Sequence, residues 1–156
     1  MIIRKGDARS KTTDQPNFGK METTSFSDMA GIKQYGAYLQ TLHPGGKSSN
    51  RHWHENEDEF LFVVSGQLTI VENDGPHVLR AGDVACWPAG VANAHHVLNE
   101  SAHPCSYVMV GTRVTRDVCH YPDSGKTLYS EDGEWRMEDA EGNVLRSGTF
   151  DAYGSD

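Results

Sequence analysis

Long hydrophobic runs are absent from this chain of 156 residues, and basic charge is scarce. No apolar stretch reaches the length of about 20 residues that a membrane-spanning helix needs. Residues 1–20 also lack the apolar segment and small-residue cleavage site of a signal peptide. With 14 basic and 22 acidic residues, the chain has a net charge of −8. Binding to nucleic acid or to an anionic membrane needs a basic surface. We therefore expect a cytoplasmic protein that binds neither.

Cysteine is equally rare. The chain has three cysteines, Cys86, Cys105 and Cys119, at irregular spacing and with no Cys-x-x-Cys pair. An odd number in this arrangement favours reduced thiols over a disulfide framework. A Cys105–Cys119 bridge is the alternative.

Extended amphipathic helices are missing as well, and short strand patterns take their place. Segments rich in β-branched and aromatic residues alternate with turns such as Asn73-Asp74-Gly75. Short strands at regular spacing are typical of a β-sandwich or β-barrel. The predicted strands are residues 33–42, 50–54, 59–64, 67–72, 77–80, 84–87, 95–99 and 106–112.

The two ends of the chain are more polar than its centre. Residues 1–30 show weak periodicity, with one helical turn predicted at residues 25–30, and the sequence becomes polar again after Arg113. Residues 134–139 and 143–146 flank a Glu-Gly turn and predict a short hairpin, and residues 151–156 are predicted to be frayed. This divides the chain into an N-terminal extension (1–30), a β-barrel (31–113) and a C-terminal extension (114–156).

The most informative segment contains two histidines and a glutamate. His52 and His54 are two residues apart, so both side chains lie on one face if the segment is a strand. Glu59 follows five residues later, where a bend can bring its carboxylate back to the same place. His95 and His96 follow a Pro-Ala-Gly turn. Imidazole and carboxylate groups on one β-wall are typical of a divalent transition-metal site.

Two spaced patterns in the chain resemble the two motifs of the cupin superfamily. Residues 46–66 resemble the first motif through Gly46, His52, His54, Glu59 and Gly66. Residues 82–99 resemble the second motif, with one difference in spacing. Four residues separate Gly90 from His95 where two are usual, so that Asn93 occupies the expected histidine position. The matching residues are Gly82, Pro88, Gly90, His95 and Asn99.

The resemblance implies a double-stranded β-helix, or jelly-roll barrel, that holds one metal. It implies the ligands His52, His54, Glu59 and His95, with His96 as the alternative third histidine. Such a donor set leaves coordination positions open and suits one divalent ion of Fe, Mn, Ni, Co or Zn. The whole chain is similar to small single-domain cupins, some of which are labelled sugar-phosphate-isomerase-like.

We expect a metal-dependent cupin that acts on a small polar molecule, sugar-like or an oxyacid. The metal would act as a Lewis acid in an isomerisation or would support oxygen chemistry, with Glu59 as a possible base. Two other hypotheses are a binding cupin without catalysis and a barrel in which the metal is only structural. An isomerase would work in argon with Zn or Mn, whereas a dioxygenase needs a redox metal and oxygen.

Three further residues are candidates for the substrate-binding wall. Tyr38 and Gln40 alternate on one strand, and Asn50 shares the face of His52 if period two extends to it. Core packing is the alternative for Tyr38, and a turn position is the alternative for Asn50. The cationic groups available for a phosphate are those of Lys47, Arg51, Arg80 and Arg113.

Family analogy also predicts a homodimer. The polar segment of residues 1–30 is long enough to exchange a strand with a partner subunit, which is how we expect it to be used.

Overall fold

In the computed structural model, residues 1–150 are described, and they fold into 14 strands and one short helix. Predicted fraying of residues 151–156 lies outside the described residues. The helix, α1, is Phe26–Ala30. The strands are β1 (Lys11–Gln15), β2 (Gly19–Ser25), β3 (Tyr35–Leu42), β4 (Trp53–His54), β5 (Glu59–Ser65), β6 (Gln67–Glu72), β7 (Gly75–Arg80), β8 (Val84–Trp87), β9 (His96–Leu98), β10 (Cys105–Thr112), β11 (Arg116–Tyr121), β12 (Lys126–Glu131), β13 (Glu134–Glu138) and β14 (Val144–Thr149).

The strands form three antiparallel sheets. The first has the order β1-β2-β3-β10-β5-β8, the second β14-β13-β12-β11-β4, and the third β7-β6-β9. An isolated bridge joins His52, just before β4, to His95, just before β9, so the second and third sheets meet there. The all-β jelly-roll prediction is confirmed.

The sequence pattern located the central strands but missed two hairpins. The hairpin β1-β2 and the hairpin β11-β12 were not predicted, although the terminal hairpin β13-β14 was. The two missed hairpins are rich in polar residues and show no regular apolar alternation, and β1 in particular is mostly exposed. Each hairpin is hydrogen-bonded to a further strand, β2 to β3 and β11 to β4.

The core fills the space between the sheets. Ten side chains form one buried cluster, and none exceeds 6% exposure. Gly66 makes the β5–β6 turn possible, because its φ is +77° and an added Cβ would lie 2.8 Å from the carbonyl oxygen of Pro104. The cluster consists of Leu42, Leu61, Val63, Leu68, Ile70, Trp87, Val97, Cys105, Tyr107 and Met109.

The opposite surface of the first sheet is apolar but uncovered in the single chain. Phe60, Phe62 and Val64 alternate with buried residues of β5 and are 39%, 40% and 45% exposed. Their cross-strand neighbours on the same surface are uncharged too. We call this surface the apolar outer face; its other members are Val84, Cys86, Val108 and Val110.

Both extensions are hydrogen-bonded to strands of the predicted barrel. β2 pairs with β3, and β11 pairs with β4. An ion pair between Asp28 of α1 and Arg113, which follows β10, links the N-terminal extension to the end of the predicted barrel. The predicted domain boundaries and the predicted strand exchange between subunits stay predictions.

All three cysteines are free thiols, so the alternative of a Cys105–Cys119 bridge is wrong. Among residues 1–150, no helix has both the length and the apolar character to span a membrane.

Candidate metal centre

Three of the predicted ligands converge inside the barrel. Ligand atoms of His52, Glu59 and His95 all lie within 4.8 Å of one another. Nε2 of His95 is 2.9 Å from Oε2 of Glu59, and Nε2 of His54 is 3.9 Å from the same oxygen. Ring centroids of His52 and His54 are 5.1 Å apart. The four side chains thus share one small volume.

Backbone pairing brings together histidines that are distant in sequence. The N–H of His52 donates to the carbonyl of His95 at 3.1 Å, and the N–H of His95 donates to the carbonyl of His52 at 2.8 Å. Residues paired in this way project from the same face of a sheet. Glu59 begins β5 on the opposite wall, so its carboxylate faces both imidazoles.

The same pairing separates His95 from His96. His95 is only 2% exposed and lies against Glu59. Successive side chains of a strand alternate between faces, and His96 instead lines a different cavity together with Lys47 and Arg51. His95, not His96, therefore lies in the cluster.

Each of the three clustered imidazoles has its Nδ1 within reach of an oxygen acceptor. When Nδ1–H donates to such an oxygen, Nε2 keeps its lone pair. This arrangement orients a histidine to bind a metal through Nε2. The pairs are His52 with the Asn50 carbonyl at 2.8 Å, His54 with the Asp117 carboxylate at 2.6 Å, and His95 with the Asn93 carbonyl at 3.3 Å.

Two buried atoms of the cluster have no hydrogen bond among residues 1–150. They are Oε2 of Glu59 and Nε2 of His95, which lie close together without the alignment that a hydrogen bond needs. A buried polar atom without a partner is costly. A divalent metal would satisfy both atoms at once, so the donor set fits the ion that the resemblance implies.

Burial and neighbouring charges set the protonation of the cluster in the absence of a metal. Burial lowers the pKa of His52 to about 4, so this imidazole is neutral at pH 7. For His54, burial acts in the same direction but is outweighed by Asp117 and Cys119, which raise the pKa to about 11. Burial alone would raise the pKa of Glu59, but His95 and the other imidazoles hold it below its usual value. Glu59 is therefore ionised.

An aromatic ring fixes the orientation of His95. The Trp87 indole stacks on the imidazole with centroids 3.7 Å apart and an interplanar angle of 8°. The Trp87 N–H donates to Oε1 of Glu72 at 2.6 Å, which anchors the indole in turn. A ligand held in one orientation loses little entropy when it binds a metal.

Strand β11 supplies a wall of the site that the sequence did not predict. Asp117, Cys119 and Tyr121 alternate along it, and Cys119 pairs directly with His54. A sulfur of Cys119 and ring nitrogens of His52 and His54 lie within 4.8 Å of one another, and the Tyr121 ring is 5.8 Å from that of His52. The available signal was the Asp123-Ser124-Gly125 turn, which predicts a hairpin there.

Removing the carboxylate behind His54 should weaken metal binding without removing a ligand. In Asp117→Asn, the imidazole loses its charged acceptor, and outer partners of this kind contribute about 10–100-fold in metal affinity. We expect that loss in a competition titration with a chromogenic chelator. Asp74→Asn is the matched control, because Asp74 bonds His77 at 2.7 Å on the exposed surface. Equal affinities in the wild type and Asp117→Asn would show that Asp117 does not orient a ligand.

The candidates for the substrate wall have different surroundings. Tyr38 is half-buried against the core, and burial, with the charge of Glu59, raises its pKa. Gln40 is buried, and its amide donates to Thr23 at 2.9 Å and accepts from the Tyr107 hydroxyl. Both amide atoms of Gln40 are thus already engaged.

Asn50 occupies the turn position that was the alternative for it, and its role as a substrate-lining residue stays a prediction. Asn50 is exposed and lies in a bend before β4, where period two does not apply. Its backbone carbonyl accepts from Nδ1 of His52, while the residue lines the same outer cavity as His96. It orients an imidazole through its main chain instead of facing inward.

Known proteins are similar to this chain in sequence and in fold. Residues 38–111 match the cupin domain family. A crystal structure of a sugar phosphate isomerase from a cupin superfamily, from Silicibacter pomeroyi, is 28% identical with a TM-score of 0.83, over 94% of this chain and 97% of that one. A protein from Acidithiobacillus ferrooxidans, for which sugar phosphate isomerase is a provisional name, is 27% identical with a TM-score of 0.83, over 93% and 96% of the two chains.

Two weaker similarities carry less information about this chain. A Thermotoga maritima protein predicted to be an oxalate decarboxylase is 20% identical with a TM-score of 0.62, over 73% of this chain and 100% of that one, and it supports the fold alone. A protein named as an oxidoreductase from Arthrobotrys oligospora is 40% identical over 45 residues, which are 29% of this chain. The match spans 18% of that curated relative, well under two thirds of its length.

Proposed function

We propose that this chain, whose residues 38–111 match the cupin domain family, is a metal-dependent enzyme that isomerises a small polar, sugar-like molecule. The observation that carries the proposal is the convergence of His52, Glu59 and His95 with His54 beside them. Glu59 and His95 each direct a buried, unpartnered atom into that space. This arrangement is typical of a site for one divalent ion of Fe, Mn, Ni, Co or Zn.

A bound divalent ion supplies Lewis acidity that stabilises negative charge on a substrate oxygen. The protein groups would supply the rest of the chemistry. Hydrogen bonds at Nδ1 hold the imidazoles of His52 and His54 in fixed orientations. Once its carboxylate is released from the ion, Glu59, which is ionised and 14% exposed, can accept the proton from a hydroxyl-bearing carbon next to a carbonyl. Return of that proton to the former carbonyl carbon, with transfer of the hydroxyl proton to the former carbonyl oxygen, completes an aldose–ketose isomerisation without any oxidant.

Two features favour isomerisation over the other hypotheses. The relatives from Silicibacter pomeroyi and Acidithiobacillus ferrooxidans, whose names refer to sugar phosphate isomerases, are similar over almost the full chain. Three imidazoles and one carboxylate also leave positions open to a ligand, whereas a purely structural site is typically closed by protein groups. The hypothesis of a barrel with a structural metal therefore has less support.

The test uses protein loaded with Mn(II) or Zn(II) under argon and a panel of aldoses, ketoses and their phosphates. We expect one pair in the panel to interconvert, as followed by proton NMR. Solvent deuterium should be incorporated at the carbon to which the base returns the proton. Glu59→Gln should abolish this turnover, while Glu55→Gln, which changes an exposed carboxylate bonded to His120, should retain it.

Two results would contradict isomerisation in different ways. Oxygen consumption by Fe-loaded protein, with no interconversion in argon, would assign oxygen chemistry to the site. Tight binding of a panel member that is never transformed would assign a binding function to the barrel.

A further inference from the structure

A second cavity, of about 430 Å³, lies next to the metal centre. Asn50 and Tyr121 line it, and both also adjoin His52: the Asn50 carbonyl accepts from Nδ1 of His52, and the Tyr121 ring lies 5.8 Å from the imidazole. We call this cavity the basic pocket, for the cationic side chains of Lys47, Arg51 and Lys126 that line it.

The basic pocket is positively charged, whereas the protein as a whole is negatively charged. Three cations line it and the only carboxylate among its lining residues is that of Asp123, whereas the whole chain has a net charge of −8. The pKa of Asp123 is held below its usual value, first by the hydrogen bond from Arg51 and also by Lys47 and His96. The positive charges lining the pocket therefore act on the same carboxylate and within the same cavity.

Arg51 has a fixed position in the pocket. Its guanidinium donates to the Asp123 carboxylate at 2.6 Å and to the Asn73 side chain at 2.9 Å. This pair neutralises Asp123, which would otherwise repel an anion, and holds the guanidinium in place. Arg51 therefore mainly shapes the pocket, because its positive charge is paired with the negative charge of Asp123.

The two lysines remain available to a ligand. Among residues 1–150, neither Lys47 nor Lys126 has a carboxylate within 4.0 Å. The Lys47 ammonium lies 5.2 Å from the centroid of the Phe18 ring, a weak contact that leaves its N–H donors unused. Nδ1 of His96 is also buried in this region without a hydrogen-bond partner in the described part of the chain.

We propose that the basic pocket binds the phosphoryl group of a small phosphorylated metabolite. A phosphate monoester carries nearly two negative charges and three acceptor oxygens at pH 7. Two ammonium groups in one cavity complement that charge, and together with the imidazole of His96 they offer N–H donors to those acceptors. The identification of the carrier as a sugar rests on the proposed function, whereas the binding of the phosphoryl group does not.

The experiment is a calorimetric titration at constant ionic strength with three probes: glucose 6-phosphate, glucose and inorganic phosphate. We expect the two phosphate-bearing probes to bind and glucose to bind far more weakly. Lys126→Met and Lys47→Met should each reduce the phosphate affinity about tenfold, since each removes a charged hydrogen bond. Arg116→Met is the matched control, because Arg116 is an exposed cation outside the pocket, and it should bind phosphate as the wild type does.

A metal-free variant separates this proposal from the proposed function. Phosphate can also bind a metal directly, so the titration is repeated with His95→Ala, whose fold is checked by circular dichroism. Retained phosphate binding in His95→Ala would support the basic pocket even if the protein isomerises nothing. Loss of phosphate binding in folded His95→Ala, or unchanged affinity in both lysine variants, would overturn the proposal.

Discussion

Replacement of His95 by alanine is expected to remove the bound transition metal almost completely, whereas replacement of the adjacent His96 leaves the metal content unchanged. His95 is buried with Nε2 at 2.9 Å from Glu59, and that nitrogen has no hydrogen bond among residues 1–150. His96 lies on the opposite face and lines the basic pocket. Loss of one of the four ligands removes a metal–nitrogen bond, and we expect the weakened site to lose its ion during purification.

The measurement is elemental analysis of untagged protein, with the wild type, His52→Ala, His95→Ala and His96→Ala purified in parallel. We expect about one ion per chain in the wild type and His96→Ala, as a single-metal site requires, and nearly none in the other two. Because Trp87 stacks on His95, the fold of His95→Ala must be checked by circular dichroism. Equal metal in His95→Ala and the wild type would refute the ligand assignment, and metal lost only in His96→Ala would reverse it.

A second large effect is expected in the oligomeric state. We propose that the apolar outer face packs against the same face of a second copy. Phe62 lies at its centre, 40% exposed, between the uncharged residues Val84 and Val108. Each copy has a net charge of −8 and the two would repel, so a surface without charged side chains is where they can meet. Apolar sheet faces pack at about 10 Å from each other.

Phe62→Asp should convert a dimer into a monomer, which sedimentation equilibrium would detect as a halved mass. Two buried carboxylates facing each other across a symmetric interface cannot be satisfied. Val144→Asp is the control, since Val144 is 57% exposed in the terminal hairpin and outside the face. A wild-type protein that is monomeric at all concentrations would remove this proposal, as would a Phe62→Asp variant that stays dimeric.

Local patterns in the sequence were enough to predict the centre of the site. The spacing of His52, His54 and Glu59 placed three side chains near one point, because two strands and the bend between them are short-range features. Asn50 instead occupies its alternative turn position, because a bend precedes β4 and alternation ends where the strand ends. Period two therefore predicts a face only within the hydrogen-bonded strand.

The rest of the site depends on pairings that no local pattern reveals. Asp117 reaches His54 across 63 residues of sequence, through a strand whose polar composition hid it. The choice between His95 and His96 likewise depends on which of them pairs with His52. Interactions of this range are set by tertiary structure, and one sequence holds little information about them.

The reciprocal hydrogen bonds between His52 and His95 have a consequence for how the chain tolerates insertions and deletions. A shift of one residue in a β-pairing moves every side chain of that strand to the other face. In most sequences such a slip would lose the inward-facing imidazole. Here the neighbouring position is also histidine, so a slip of one residue opposite His52 would present His96 in place of His95. The doubled histidine thus keeps an imidazole opposite His52 after such a slip, whereas the slip would turn the buried Val97 of β9 out of the core.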